Sequence, residues 1–168
     1  MATVLFKGTS ANTSGELPNL GSKAPSFNLT RTDLTQANLE SFKGKTLILN
    51  IFPSVDTGTC AQSVRTFNLE AAELENTSVL CVSKDLPFAQ NRFCGAEGIE
   101  NVIMLSDYRN NSFGEDYGVG FVDGPFQGLL ARAVVVIDKE GKIIHTELVE
   151  NIGEEPNYKS ALQALYNG

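Results

Sequence analysis

The sequence has little of the residues from which metal sites and nucleophile–base pairs are usually built. Its single histidine, His145, lies in a strand pattern that looks exposed, which argues against a hydrolase of the Cys–His type. The three cysteines, Cys60, Cys81 and Cys94, are widely spaced without a Cys-x-x-Cys pair, so they make a poor zinc ligand set. An odd number of cysteines in a chain of 168 residues does not indicate a disulfide framework either. We therefore expect no metal site.

Positive charge and long apolar runs are also scarce. The formal net charge is −7, which argues against binding to nucleic acid or to an anionic membrane surface. No stretch approaches the roughly 20 apolar residues of a membrane span, and residues 1–10 do not resemble a secretory signal, so we expect a cytoplasmic protein. Gly118, Gly120 and Gly124 have the wrong spacing for a dinucleotide-binding loop, and no cofactor is expected.

The order of the patterns predicts one compact α/β domain over residues 1–168, with residues 1–21 as an N-terminal β-hairpin extension. Apolar runs typical of buried strands alternate with runs of helical period, and a Gly-containing turn joins two late strands. This order fits a thioredoxin-like fold, in which helices flank a mixed central sheet. The expected strands are 3–8, 27–30, 46–52, 78–83, 102–105, 133–137 and 142–148, and the expected helices are 58–75, 88–93, 113–117 and 158–166.

Cys60 has the most informative position of the three cysteines. It follows the apolar strand at 46–52 and stands in the first turn of the helix predicted from residue 58. The N-terminus of a helix carries unpaired N–H groups and a partial positive charge, and both favour a thiolate over a thiol. Because the thiolate is the nucleophilic form of cysteine, Cys60 is a candidate nucleophile.

The loop that leads to Cys60 contains residue types suited to binding a small polar substrate. Pro53 ends the strand and stiffens the loop, because proline has a fixed φ and no N–H. Thr57 lies three residues before Cys60, where its hydroxyl could hydrogen-bond both the thiolate and an incoming oxygen, or cap the helix. Further along the chain, Arg132 precedes a strongly apolar strand, and an arginine that enters a core needs an anionic partner.

These residues belong to three strings that together resemble one family. Pro-x-x-x-Thr-x-x-Cys at the start of a helix resembles the active-site motif of the peroxiredoxins, and the longer string NIFPSVDTGTCAQSVRTFN is similar to their thiol peroxidase subfamily. DLPFAQNRFCGAEG, which begins at Asp85, resembles the subfamily's segment with the second cysteine. GLLARAVVVID, which begins at Gly128, resembles its closing strand. The resemblance runs from the N-terminal hairpin to the last helix and so covers almost the whole chain.

The resemblance implies a function and a role for each matching residue. It implies a thioredoxin-dependent, atypical two-cysteine peroxidase for hydrogen peroxide and organic hydroperoxides, with a preference for the organic ones. Cys60 matches the peroxidatic cysteine, Pro53 the shielding proline and Thr57 the hydrogen-bonding threonine. Arg132 matches the arginine that faces the thiolate, and Cys94 matches the resolving cysteine of the same chain. A homodimer built beside the active site is a further implication.

Elementary sulfur chemistry agrees with a two-cysteine scheme. A Cys60 thiolate that attacks a peroxide oxygen becomes a sulfenic acid, which condenses with a nearby thiol to a disulfide. The Cys60 N–H, Thr57 and Arg132 would stabilise the charge on the departing oxygen. Cys94 must come close in space, because a disulfide requires the two Cα atoms to lie within about 7 Å. If the two residues lie further apart in the reduced fold, the helices that carry them must shift or unwind.

Two other functions could use the same cysteines. The segment CAQS at residues 60–63 is a Cys-x-x-Ser on a helix of a thioredoxin-like fold, which is compatible with a disulfide oxidoreductase. Disulfide exchange needs no peroxide-binding hydroxyl, so Thr57 favours the peroxidase. A redox sensor or holdase without turnover is the third hypothesis. Cys81, in the middle of an apolar strand, is expected to be an inert buried thiol.

Overall fold

The computed structural model describes residues 1–167, in which a seven-stranded mixed sheet is flanked by helices and a two-stranded hairpin lies at the N-terminus. A 3₁₀ helix spans Leu39–Phe42. The strands are β1 (Thr3–Phe6), β2 (Thr9–Asn12), β3 (Asn28–Arg31), β4 (Gln36–Asn38), β5 (Thr46–Ile51), β6 (Thr77–Ser83), β7 (Ile103–Ser106), β8 (Ala133–Ile137) and β9 (Ile143–Leu148). The helices are α1 (Gly58–Ala71), α2 (Pro87–Glu97), α3 (Ser112–Asp116) and α4 (Tyr158–Asn167).

The large sheet combines a parallel centre with antiparallel edges. Its strand order is β4-β3-β7-β6-β5-β8-β9, and β6 runs parallel to both β5 and β7. Parallel neighbours need crossover connections, and α1 and α2 supply them. The outer pairs β3–β4, β3–β7, β5–β8 and β8–β9 are antiparallel. The predicted thioredoxin-like α/β fold, with its mixed sheet and N-terminal hairpin, is therefore confirmed.

Successive residues of the central strands face opposite sides of the sheet and belong to two separate cores. Leu47, Leu49 and Ile51 of β5 face one core, to which the N-terminal hairpin and α3 contribute. Ile48 of β5 and the following Phe52 face the second core, which is completed by α1, α2 and α4. All three cysteines lie within or against this second core. The sheet therefore brings the cysteines, which are distant in sequence, to one side of the molecule.

The structure departs from the sequence prediction mainly at short elements and at helix ends. The sequence patterns do not predict β4 or the 3₁₀ helix, because three or four residues are too few to show a period. α1 ends at Ala71 rather than at residue 75, and α2 extends beyond the predicted 88–93. Gly98 follows α2 with a φ of 67°, the left-handed conformation that commonly ends a helix, and this explains where α2 stops.

Candidate active site

Cys60 lies in the first turn of α1, at the edge of the sheet where the parallel strands end. Its residue is 0% exposed, so the sulfur is shielded from bulk water. α1 buries the face that carries Cys60, Ala61, Val64 and Phe67, a helical spacing that fixes the rotation of the helix against the sheet. The structure therefore places Cys60 in the first turn of a helix, as the sequence predicts.

Thr57 is the N-cap of α1 and shapes the junction between loop and helix. Its backbone is extended, and its Oγ1 accepts a hydrogen bond from the Cys60 N–H at 3.3 Å. The same hydroxyl donates to the Ser54 carbonyl oxygen at 3.2 Å. Pro53 is buried at the start of this loop, two residues after the end of β5. In the described structure Thr57 acts as a helix cap, and its predicted contact with peroxide stays a prediction.

Arg132 enters the same site from the opposite direction, just before β8. It is 2% exposed, and its Nη2 donates to the Cys60 Sγ at 3.2 Å. Its Nε and Nη2 also donate to the Ile152 carbonyl oxygen, at 3.2 Å and 3.0 Å. Two bonds to one carbonyl fix the plane of the guanidinium, because its donors form a rigid fork. The structure thus brings together Cys60 and Arg132, which are far apart in sequence.

The guanidinium of Arg132 has no carboxylate partner in residues 1–167. Its Nη1 is buried and has no hydrogen-bond partner in that part of the chain. A buried positive charge is costly unless an anion lies beside it. The Cys60 Sγ, 3.2 Å from Nη2, is the side-chain atom that the structure places against this charge. Nη1 remains able to donate to a further acceptor, such as an oxygen of a bound substrate.

The loop after β9 orients Arg132, and sequence reasoning does not identify it. The Ile152 carbonyl that binds the guanidinium belongs to this loop, which in turn pairs with the N-terminal hairpin. The Leu5 N–H donates to the Glu150 carbonyl at 2.7 Å, and the Ile152 N–H donates to the Leu5 carbonyl at 3.0 Å. These contacts join backbone groups, so the residue types carry no signal for them. The N-terminal hairpin is therefore connected to the site through one loop.

Cys94 lies on α2, half-buried against the second core. Burial raises the pKa of its thiol, so the folded helix keeps Cys94 protonated. Near it, Glu97 receives two bonds from Arg65 of α1, Nη2–Oε1 at 3.0 Å and Nε–Oε2 at 3.1 Å. Cys60 and Cys94 are both free thiols in this structure. Cys60 lies on α1 and Cys94 on α2, so a bridge between them would join these two helices.

Cys81 lies inside β6, where burial raises the pKa of its thiol to about 12. A thiol with so high a pKa is a poor nucleophile near neutral pH, which agrees with the prediction of an inert residue. Its sulfur accepts a bond from Asn50 Nδ2 at 3.7 Å, and the same amide donates to Ser63 Oγ at 3.2 Å. The Ser63 hydroxyl donates to the Cys60 carbonyl at 2.7 Å. This buried network ties the first turn of α1 to the sheet.

Several remaining sequence features have structural explanations. His145 is half-buried in β9 opposite Val136, and desolvation lowers its pKa. Gly118 has a φ of 69°, and a Cβ there would lie 2.2 Å from the Glu16 carbonyl oxygen, so close packing requires glycine.

Among residues 1–167 no group of three or more His, Cys, Asp or Glu side chains could hold a metal ion. None of the helices in the described part is long and apolar enough to cross a membrane.

Comparisons with known proteins place this site in context. The family model described as Redoxin matches residues 19–162. The thiol peroxidase of Mycobacterium tuberculosis (strain ATCC 25618 / H37Rv) is 59% identical over 165 residues, which are 98% of this chain and 99% of that protein. The thiol peroxidase of Corynebacterium glutamicum is 55% identical with the same coverage. The crystal structure of a peroxiredoxin-like protein from Aquifex aeolicus matches with a TM-score of 0.94 at 38% identity, over 99% of this chain and 97% of that one.

Proposed function

The chain belongs to the Redoxin family and is a thiol-dependent peroxidase, and on this premise we propose that Cys60 is the residue that reacts with the peroxide. The observation that carries the proposal is the 3.2 Å contact between Arg132 Nη2 and Cys60 Sγ in a buried site where the guanidinium has no carboxylate partner among residues 1–167. A fixed positive charge beside the sulfur stabilises the thiolate and then the charge that develops on oxygen. Burial strengthens both interactions, because the local dielectric constant is low.

In the first step the Cys60 thiolate attacks the terminal oxygen of the hydroperoxide. The S–O bond forms as the O–O bond breaks, so sulfur is oxidised to the sulfenic acid and the peroxide is reduced. The leaving alkoxide, or hydroxide from hydrogen peroxide, takes up a proton and departs as alcohol or water. Arg132 Nη1, buried without a partner in the described chain, supports binding of the peroxide oxygens. Thr57 donates to the peroxide if its hydroxyl exchanges the Ser54 carbonyl for the substrate, and Pro53 shields the sulfur.

In the second step the thiol of Cys94 attacks the sulfenic sulfur of Cys60. An S–S bond forms, the S–O bond breaks and water leaves, so the product is an intrachain Cys60–Cys94 disulfide. Cys81 is the less suitable partner, because burial raises the pKa of its thiol to about 12 within a strand of the sheet. A dithiol of the thioredoxin type then reduces the disulfide by exchange. This cycle uses no metal ion or other cofactor.

Further parts of the proposal concern the setting of the enzyme. Its proposed substrates are hydrogen peroxide and organic hydroperoxides, and its proposed compartment is the cytoplasm. We also assign the chain to one domain, as the sequence predicts for residues 1–168, with residues 1–21 as its hairpin extension. A homodimer beside the active site is supported by Leu86 and Phe88, which are 52% and 67% exposed at the start of α2. Both side chains flank Pro87, and a contiguous exposed apolar patch marks an interaction site.

Coupled turnover tests this function directly. We expect the reduced chain to consume hydrogen peroxide and cumene hydroperoxide when thioredoxin, thioredoxin reductase and NADPH are supplied. The same preparation should catalyse insulin disulfide reduction no faster than thioredoxin alone. Insulin reduction without peroxide consumption would instead indicate a disulfide oxidoreductase. Slow oxidation without turnover would indicate a redox sensor or holdase.

A further inference from the structure

Asp85 lies between the loop that precedes Cys60 and the helix that carries Cys94. Its Oδ1 accepts a hydrogen bond from Ser54 Oγ at 2.7 Å, and its Oδ2 accepts one from the Val55 N–H at 2.9 Å. Oδ2 also accepts from Ser83 Oγ at 2.6 Å. Two of the three donors belong to the loop between Pro53 and Thr57, and hydrogen bonds to an ionised carboxylate are stronger than those between neutral groups.

A short series of hydrogen bonds leads from this carboxylate to the sulfur-bearing residue. Asp85 holds both the side chain of Ser54 and the backbone beside it. The Ser54 carbonyl accepts from the Thr57 N–H and from the Thr57 hydroxyl, each at 3.2 Å. Thr57 Oγ1 accepts from the Cys60 N–H at 3.3 Å. The position of the cap of α1 therefore depends on a residue that does not itself touch Cys60.

Hydrogen bonds from the ends of two sheet strands hold Asp85 in place. Ser83, at the end of β6, donates to its carboxylate, and the Ser106 hydroxyl, at the end of β7, donates to its backbone carbonyl at 2.5 Å. The Ser83 hydroxyl also accepts from Gln90 Nε2 of α2 at 3.2 Å. Because strands are the rigid part of the fold, these bonds fix the position of Asp85, and Asp85 in turn fixes the position of the loop relative to the sheet.

We propose that Asp85 is a positioning residue for the peroxide step, resting on the function proposed above. Its carboxylate fixes the loop between Pro53 and Thr57. The Cys60 sulfur and the hydrogen-bond donors around it are thereby held in position for one bound peroxide. Displacement of a catalytic group by about 1 Å can cost roughly 100-fold in rate, so a residue that removes this freedom contributes to catalysis without contact with substrate. The second step joins the Cys60 sulfur to Cys94 of α2 and does not use the arrangement of this loop around a bound peroxide. Asp85 therefore accelerates oxidation of Cys60 and does not assist its resolution by Cys94.

The test separates the two steps in Asp85→Asn and Asp85→Ala. Because the chain contains no tryptophan, rapid quench with intact-mass analysis is used to follow loss of reduced protein and formation of disulfide at several cumene hydroperoxide concentrations. We expect the peroxide rate constant per active site to fall roughly 10- to 100-fold in Asp85→Ala and less in Asp85→Asn. The rate constant for disulfide formation should be unchanged or higher.

The matched control is Asp56→Asn, which removes a carboxylate charge from the loop that Asp85 contacts. The Asp56 carboxylate is exposed and faces Arg92 Nη2 at 3.3 Å, away from the Asp85 contacts. This variant should keep both rate constants within twofold of the wild type. If Asp85→Ala does not fold, Ser54→Ala removes one link of the series and should slow the peroxide step by severalfold.

The outcomes distinguish a positioning role from a structural one. A merely structural role would lower the fraction of active protein, or both rate constants together, and that result overturns the proposal. A peroxide step that is unchanged or faster in the Asp85 variants overturns it as well. Failure of the wild type to react with peroxide would overturn the proposed function itself. A wild type that reacts normally beside unaffected Asp85 variants would remove only the role of Asp85.

Discussion

The two helices that carry Cys60 and Cys94 are built in contrasting ways. α1 has 14 residues, a side-chain cap from Thr57 and six buried residues along one face. α2 has 11 residues, no side-chain hydrogen bond at its N-cap and three buried residues. The comparison teaches that the proposed reaction with peroxide uses a capped helix with an extensive buried face, whereas the proposed resolution step uses a helix with fewer buried residues.

The pKa of the Cys94 thiol also bears on how easily α2 opens. Burial raises the pKa of Cys94, so the folded form of α2 is favoured fully at pH values below the ordinary thiol pKa of about 8.5. As the pH rises through that value, the opened form loses its proton first and opening becomes easier. An opened α2 therefore exposes Cys94 and also restores its ordinary acidity, and both changes favour attack on a Cys60 sulfenic acid.

Cys60→Ser should have the largest effect, because it removes the nucleophile from the preorganised site. We expect peroxide turnover to fall to the background of free thiols, while the fold and the Cys94 thiol are retained. Thioredoxin-coupled peroxide consumption measures the loss, and circular dichroism checks the fold. Substantial residual turnover in this variant would show that another residue reacts with the peroxide.

Cys94→Ser should separate the oxidation of Cys60 on α1 from the resolution step on α2. The first oxidation of Cys60 should proceed at the wild-type rate, because α1 and its donors are untouched. Recycling by thioredoxin should fail, and the sulfenic acid should accumulate and be trapped by dimedone. Cys81→Ser is the control and should recycle normally. Full coupled turnover in Cys94→Ser would move the resolving role to a different thiol.

Arg132→Met should weaken the preorganised site without removing its nucleophile. Loss of a fixed donor to developing charge typically costs roughly 10²–10³ in rate, and we expect the peroxide step to slow by that amount. Arg132→Lys keeps the charge but loses the paired hydrogen bonds to the Ile152 carbonyl. Its rate should therefore lie between those of Arg132→Met and the wild type. Single-turnover oxidation rates provide the measurement. Equal rates in Arg132→Met and the wild type would contradict the proposed electrostatics.

Thr57→Val should have a smaller effect on the same step. Val keeps the shape of Thr57 but loses the hydroxyl that caps α1, and we expect the peroxide rate to fall about tenfold, equivalent to about 1.4 kcal/mol of transition-state stabilisation. Thr57→Ser retains the hydroxyl and should react within a fewfold of the wild type. If valine and serine variants react equally fast, the hydroxyl contributes only to helix stability.

Glu97→Gln should have the smallest effect, and it acts on the other helix. The variant removes the charge that pairs α2 with Arg65, so opening of α2 should become easier and disulfide formation should accelerate about twofold. High salt should abolish the difference between variant and wild type, because exposed pairs are screened. Glu100→Gln, which removes a nearby charge outside this pair, is the control. Slower disulfide formation in Glu97→Gln would indicate that the pair assists resolution.

The sequence predicts the part of the site that is local in the chain. A strand, a proline, a threonine and a cysteine follow one another within residues 46–60, so helix-terminus chemistry can be inferred from their order. Arg132 is identified because a charged residue beside a buried strand demands an anion. The fold class follows in the same way, since its buried strands and amphipathic helices have clear periods.

The parts that the sequence does not predict depend on contacts between distant backbone groups or on ordinary polar residues. The Ile152 carbonyl orients Arg132 through an atom that every residue possesses. Asn50 links Cys81 to α1 from inside an apolar strand, where its amide gives no sign of its partners. Asp85 precedes a helix and resembles any acidic residue in a turn. The folding of the chain brings these groups close to the site, and their residue types do not indicate it.

The central claim is that peroxide oxidises Cys60 first and that Cys94 then closes a disulfide with it. The most direct test mixes the reduced chain with about one equivalent of cumene hydroperoxide and follows the thiols by rapid quench, intact mass and peptide mapping. Our account predicts rapid loss of two thiols and a Cys60–Cys94 disulfide, with Cys81 still reduced. Thiols that remain unreacted, or that oxidise only as slowly as free cysteine, would contradict it.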